Sequence, residues 1–199
     1  MTSSIPYYNE NAQEFFNRTV HVDLFPFYQK FLSLLPPKPY ILDLGCGSGR
    51  DTLYFKSQNL KIMALDASKE LAKLASDHIG QEVVVMDFKD MMFQDMFDGV
   101  WANASLLHIP YENLNSIFKK IHVSLKEGGI LYASFKYGGE KRTVGARDFY
   151  DMNEHLIKPF LDPFFDLIAT EKETDTRSQV APSSENAWLH IWCKKNYTS

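Results

Sequence analysis

Cysteine is scarce, with two residues in 199, Cys46 and Cys193. That number supports neither a disulfide framework nor a zinc site, which takes about four ligands at tight spacing. We therefore expect no metal. No apolar run approaches the ~18 residues of a membrane span. The stretch MTSSIPYYNENAQEF lacks the basic start and long apolar core of a secretory signal. Charge of one sign is also modest: the net is −4, with pI about 5.9. An acidic balance argues against a broad nucleic-acid or membrane surface, though it leaves local basic patches open. There is no internal repeat and no low-complexity segment. From these absences we expect a cytoplasmic monomer without a membrane partner.

What the chain does have is apolar content, at 45% hydrophobic residues. That is enough for one domain with a full core. The spacing of Leu24, Phe27, Phe31, Leu34 and Leu35 predicts a helix over 21–35, stopped by the PPKP at 36–39. Strands follow at Tyr40–Leu44, 61–66, 82–88, 97–105 and 130–135, with helices between them. The helix that Pro110 opens is expected to end at Gly128-Gly129. A weaker helix covers 151–161, and two last strands cover 164–173 and 187–195, around the polar loop 174–186 with its Arg177. Alternation of this kind predicts a Rossmann-like α/β fold, with a doubly wound, mostly parallel sheet in three α/β/α layers. No helix separates the last two strands, so they form an antiparallel hairpin at the edge. We divide the single domain into an N-terminal helical cap (1–39), a cofactor core (40–135) and a substrate-side remainder (136–199).

The densest signal is YILDLGCGSGRDTLYF, where Asp43 ends an apolar run and Gly45, Gly47 and Gly49 follow. The spacing is G-x-G-x-G, one position short of a dinucleotide fingerprint, and no G-K-[ST] follows for a P-loop. Ser48 and Asp51 fit a capping box. Arg50 is a cation in the first helical turn, unfavourable to the macrodipole unless it pairs with an anion over the loop. Asp66 ends the second strand, placed to accept from two ribose hydroxyls. Asp87-Phe88 ends the third, an acid for an exocyclic amine and a ring for a base. The inferred ligand carries a nucleoside and a carboxylate but no pyrophosphate. S-adenosylmethionine fits that description.

Taken together, ILDLGCGSGRD, then Asp66, then Asp87-Phe88, then FDGVWANASLLHIP resemble the class I S-adenosylmethionine-dependent methyltransferases. GCGSGRD, SLLHIP and SFKYGGEKR resemble the tellurite-resistance-like, small-molecule bacterial branch. The resemblance implies a seven-stranded sheet whose last strand is antiparallel. It also implies that Gly45, Cys46 and Gly47 form the loop against the cofactor and that Asp43 orients it. By the same resemblance Asp66 and Ala67 meet the ribose, Asp87 and Phe88 the adenine, and Asn103 and Ala104 the methionine end. Arg50 would bind the methionine carboxylate, with Tyr8 capping the same end.

For catalysis, His108 is the candidate general base, because it follows the fourth strand at the carboxyl edge and histidine titrates near neutral pH. The cations Lys136, Arg142 and Arg147, with Tyr137 and Lys141, form a candidate rim for an anionic acceptor. Trp101, Trp188 and Trp192 fit core positions. No Asn/Asp-Pro-Pro-Tyr follows the fourth strand, which sets aside amine methylation of adenine or cytosine. We expect methyl transfer to a small, anionic molecule at oxygen or sulfur. One alternative is a tRNA carboxylate or modified base, which would demand a wider basic surface and salt-dependent binding. The other is a regulatory protein that binds S-adenosylmethionine without catalysis.

Overall fold

The computed structural model describes residues 4–174 and 187–197. The loop residue Arg177 lies outside the described residues. Apolar runs bounded by turn residues become the strands of one sheet, and the amphipathic runs between them cover its faces. The strands are β1 (Tyr40–Leu44), β2 (Lys61–Asp66), β3 (Val84–Val85), β4 (Phe97–Ala102), β5 (Leu125–Lys136), β8 (Phe165–Thr174) and β9 (Ala187–Lys195). Their order is β3-β2-β1-β4-β5-β9-β8. The first five are parallel, and β9 runs antiparallel between β5 and β8. The edge hairpin expected from the sequence is therefore present, with β9 inside and β8 outermost. The strand order reverses between β1 and β4, which puts the crevice for a ligand above the carboxyl end of β1.

Helix α3 (Phe25–Ser33) covers one face with Phe27, Tyr28 and Phe31, packed with the fully buried Phe55, Trp101, Tyr132 and Trp192. Helix α4 (Arg50–Ser57) follows the glycine loop, and α5 (Lys69–Ile79) follows β2. Ser68 caps α5 by accepting from the Leu71 N–H at 3.2 Å, and Gly80 ends it in the left-handed region. The opposite face holds α6 (Tyr111–Ser124) and α7 (Glu154–Leu161), and α6 buries Leu114, Ile117, Phe118 and Ile121 there. Among the described residues, no helix is long and apolar enough to cross a membrane, and no cluster of His, Cys, Asp or Glu could hold a metal.

Four local expectations change. The third strand is only two residues long, because Asp87 caps a 3-10 turn over Phe88–Asp90 by accepting from the Lys89 N–H. Helix α6 ends at Ser124 rather than at Gly128-Gly129, because Leu125 already pairs with Phe97 and starts β5. The helix expected over 21–35 is confined to Phe25–Ser33. Residues 141–150, read as a loop, form a two-stranded hairpin of β6 (Lys141–Val144) and β7 (Arg147–Tyr150). Two short N-terminal helices, α1 (Ile5–Glu10) and α2 (Ala12–Thr19), pack against α5 and reach across the glycine loop.

Candidate active site

The glycine loop is shaped by backbone that side chains disfavour. Gly45 has φ +80°, and a Cβ there would lie 2.6 Å from the Ser105 Cβ. Gly49 has φ +77° and itself occupies the N-cap of α4. No side chain caps that helix, so the capping box expected of Ser48 and Asp51 does not form.

Asp51 instead points inward, 5% exposed. It accepts from the Tyr28 hydroxyl at 2.5 Å, the Trp101 indole at 2.8 Å and Arg50 at 2.6 and 3.0 Å. Burial alone would raise its carboxyl; the Arg50 charge and these donors hold it below the usual range. The anion that Arg50 finds is thus its own neighbour. Arg50 also donates to the Thr19 carbonyl at 3.2 Å, which anchors the end of α2. Asp43 is buried one turn away and accepts from Thr52 at 2.6 Å, tying β1 to α4 beneath the loop. Burial and then the Asp51 charge push Asp43 up.

Asp66 sits at the tip of β2, as read from the sequence. Its two oxygens accept from the Gly47 N–H at 2.9 Å and the Ser68 N–H at 2.8 Å. Burial raises its pKa, and those backbone donors oppose the rise. Asp66, Ala67, Asp87 and Phe88 line a narrow cavity of about 80 Å³ beside Gly45 and Gly47, roofed by Ser4, Ile5 and Tyr8. Two buried hydroxyls there, Ser4 Oγ and Ser105 Oγ, have no hydrogen-bond partner. Buried polar atoms are rarely left so, and a purine would supply what they lack.

A second cavity, of about 550 Å³, opens on the other side of the same loop. It is lined by Cys46, Gly47, Arg50, Asn103, Ala104, Lys136 and Arg147 from the sequence candidates. Cys46 presents a buried thiol that burial pushes well up, so it is no nucleophile. Asn103 Oδ1 accepts from Ser134 Oγ, which accepts in turn from the Ala104 N–H, both at 2.8 Å. That network fixes the turn after β4, where Ala104 has φ +51°. Arg142 is not in the lining; it pairs with Asp151 and lies over Phe149. Lys141 pairs with Asp148 at 3.0 Å. The rim's outer charges are therefore neutralised within the hairpin.

Several lining residues escaped the sequence. Phe15 and Arg18 of α2 are three apart, a helical spacing that would have put them on one face. Trp188, taken for core, covers Lys136 at 4.1 Å and borders the larger cavity, as does the buried His190. Tyr8 lines both cavities, and its hydroxyl lies 2.8 Å from His108 Nε2. His108 Nδ1 lies 2.6 Å from the Asp148 carbonyl.

Residues 42–133 match the family model described as a methyltransferase domain. The chain belongs to the class I S-adenosylmethionine-dependent methyltransferases. A carboxy-S-adenosyl-L-methionine synthase of Mannheimia succiniciproducens is 30% identical over 115 residues, 52% of this chain and 47% of that protein. The matched segment thus spans about half of that curated relative. Among solved structures, the 1,6-didemethyltoxoflavin-N1-methyltransferase of Burkholderia thailandensis, bound to S-adenosylhomocysteine, superposes with TM-score 0.76 at 20% identity. It covers 98% of this chain and 87% of its own. A TehB-like methyltransferase of Corynebacterium glutamicum has TM-score 0.71 at 20% identity, covering 96% of this chain and all of its own. The last is of the branch that SLLHIP and SFKYGGEKR suggested. The family's cofactor is S-adenosylmethionine, and the residues here suit it: glycine backbone, two acids and two unpaired hydroxyls all line the narrow cavity.

Proposed function

We propose that this methyltransferase transfers a methyl group from S-adenosylmethionine to a small anionic molecule, at oxygen or sulfur. One observation carries the acceptor's charge. Arg18 and Arg147 line the same 550 Å³ cavity, and among the described residues neither forms an ion pair, so Arg147 is left for an acceptor once Arg18 takes the methionine carboxylate. Arg50, by contrast, is saturated by Asp51. A cavity of about 550 Å³ suits a small molecule better than tRNA, as do the neutralised outer charges of the hairpin.

The residues divide between two tasks. Asp66, with Ala67, would grip the ribose; Asp87 and Phe88 would meet the adenine; Gly45 and Gly47 would let the backbone approach. The methionine end would lie along Cys46, Asn103 and Ala104. Arg18 replaces Arg50 as the cation for the methionine carboxylate, because Arg50 has its anion already. Arg147, assisted by Lys136, holds the acceptor. The cofactor supplies an activated methyl on a sulfonium. The chain's part is to align the acceptor and exclude water, which can be worth up to ~7–11 kcal/mol in ideal cases.

A screen of small anions reading S-adenosylhomocysteine formation tests this. Turnover of at least one, insensitive to added tRNA, is expected. Binding of tRNA that weakens steeply with salt, together with methyl incorporation into it, would replace the small-molecule reading.

A further inference from the structure

We infer that Tyr8, rather than His108, is the side chain that meets the acceptor, and that the acceptor is a small anion bearing a hydroxyl. This rests on the methyltransferase reading of the site and deepens it.

Hydrogen-bond chemistry fixes the direction of the relay. The Asp148 backbone carbonyl can only accept, so His108 Nδ1 carries a hydrogen and donates it at 2.6 Å. In the neutral ring Nε2 is then the acceptor, and the Tyr8 hydroxyl donates to it at 2.8 Å. The basic atom of His108 is therefore filled. His108 is 8% exposed and borders only the narrow cavity, whereas Tyr8 stands where the two cavities meet. With its hydrogen turned to His108 and one lone pair facing the Arg147 guanidinium, the Tyr8 oxygen keeps its other lone pair for a donor.

That donor must be a group that still carries a proton, and a hydroxyl qualifies where a carboxylate does not. Arg147 supplies the second point of recognition. Its guanidinium lies 4.3 Å from the centre of the Tyr7 ring and 5.8 Å from that of Tyr8, and its Nε is buried without a partner. An anion taken by Arg147 brings a hydroxyl on the same small molecule alongside Tyr8.

The step balances within these groups. The acceptor oxygen forms its bond to the methyl carbon while sulfur keeps the electron pair of the broken C–S bond. The acceptor proton passes to Tyr8 Oη as the Tyr8 proton passes to His108 Nε2, and the imidazolium yields its proton to solvent. Burial, with Arg147 nearby, lowers His108 to about 4. A weak base suffices, because an oxygen gaining a methyl becomes positive and its proton strongly acidic. The charged groups facing His108 are Arg147 and Asp148 of β7, and those facing Tyr8 are Arg147 and Asp66. With His108 at about 4 and its Nε2 held by Tyr8, the relay is in one protonation state from about pH 5 to 8.

The test uses the full chain, S-adenosylhomocysteine calorimetry and a panel of hydroxybenzoates and short hydroxy acids, each beside its amino, thiol and unsubstituted carboxylate. Turnover is expected for hydroxyl-bearing members, with kcat flat over that pH range. Tyr8→Phe should cut kcat ~100-fold while S-adenosylhomocysteine affinity stays within about twofold. Nitrogen-15 NMR should show His108 protonated at Nδ1 alone, with its Nε2 signal moved in Tyr8→Phe. Unimpaired turnover in Tyr8→Phe, turnover confined to the amino, thiol or unsubstituted members, or none by a chain that still binds S-adenosylhomocysteine would each overturn the proposal. So would a hydrogen on His108 Nε2. Failure of the wild type to bind S-adenosylhomocysteine would instead remove the methyltransferase reading beneath it.

Discussion

The cavities on the two sides of Tyr8 are built in different ways. The narrow one takes its glycines from the loop after β1 and its acids from the ends of β2 and β3, and Asp66 is paired by the backbone N–H groups of Gly47 and Ser68. The wider one shares the glycine loop and adds α2, the turn after β4, the β6–β7 hairpin and β9, and among the described residues its Arg18 and Arg147 form no ion pair. Asp66 is thus held in place by backbone before any ligand arrives, whereas the buried Arg147 Nε is left to be completed by one. Acceptor preference can therefore change without disturbing the grip on the nucleoside.

The sharpest way to break this division is to remove what lies beneath both halves. Asp51 holds Tyr28, Trp101 and Arg50, and through Arg50 the end of α2. Asp51→Ala leaves a buried cation and two buried donors unpaired. A loss of ~3–5 kcal/mol in urea unfolding is expected; a loss under ~1 kcal/mol would mean that the hub is not the common support.

The next largest effect is one of pH and lies at the boundary. His108 titrates near 4 in the folded chain, below the ~6.5 of an unfolded one. The unfolded chain therefore binds the proton first as pH falls. Stability contributed by neutral His108 is complete above about pH 6.5 and is lost towards pH 4, by an amount on the order of 3 kcal/mol. His108→Gln should flatten that part of the stability–pH curve. A parallel curve would place the His108 nitrogens in contact with water.

Smallest, and confined to one side, is the effect of Arg147→Met. The acceptor KM should rise ~10-fold, about the contribution of one charged hydrogen bond, with S-adenosylhomocysteine affinity unchanged. A parallel loss of cofactor affinity would merge the two sides.

The same contrast decides how much could be read from the sequence. That GCGSG, Asp66 and Asp87 would come together was legible because each sits at the end of an apolar run, and they do line one cavity. Arg50 was legible as an odd residue, but its pairing with Asp51 was not, since only the fold turns Asp51 inward to meet it. Hairpin 141–150 was missed because all four residues of β6 are exposed and charge-rich, so no alternation marks it. Arg18 follows a break at Asn11 between two short helices, which hides the face it shares with Phe15. Trp188 and Trp192 do share a strand face, but Trp192 is fully buried while Trp188, opposite Lys136, borders the cavity.

The central claim is that Asp66, at the tip of β2, holds the sugar of a nucleoside lying over the glycine loop. Calorimetric titration of the wild type and Asp66→Ala with S-adenosylhomocysteine addresses it most directly. The account predicts saturable one-site heat for the wild type and at least ~10-fold weaker binding for the variant, about one charge-assisted hydrogen bond. Equal affinity in the two proteins would contradict it.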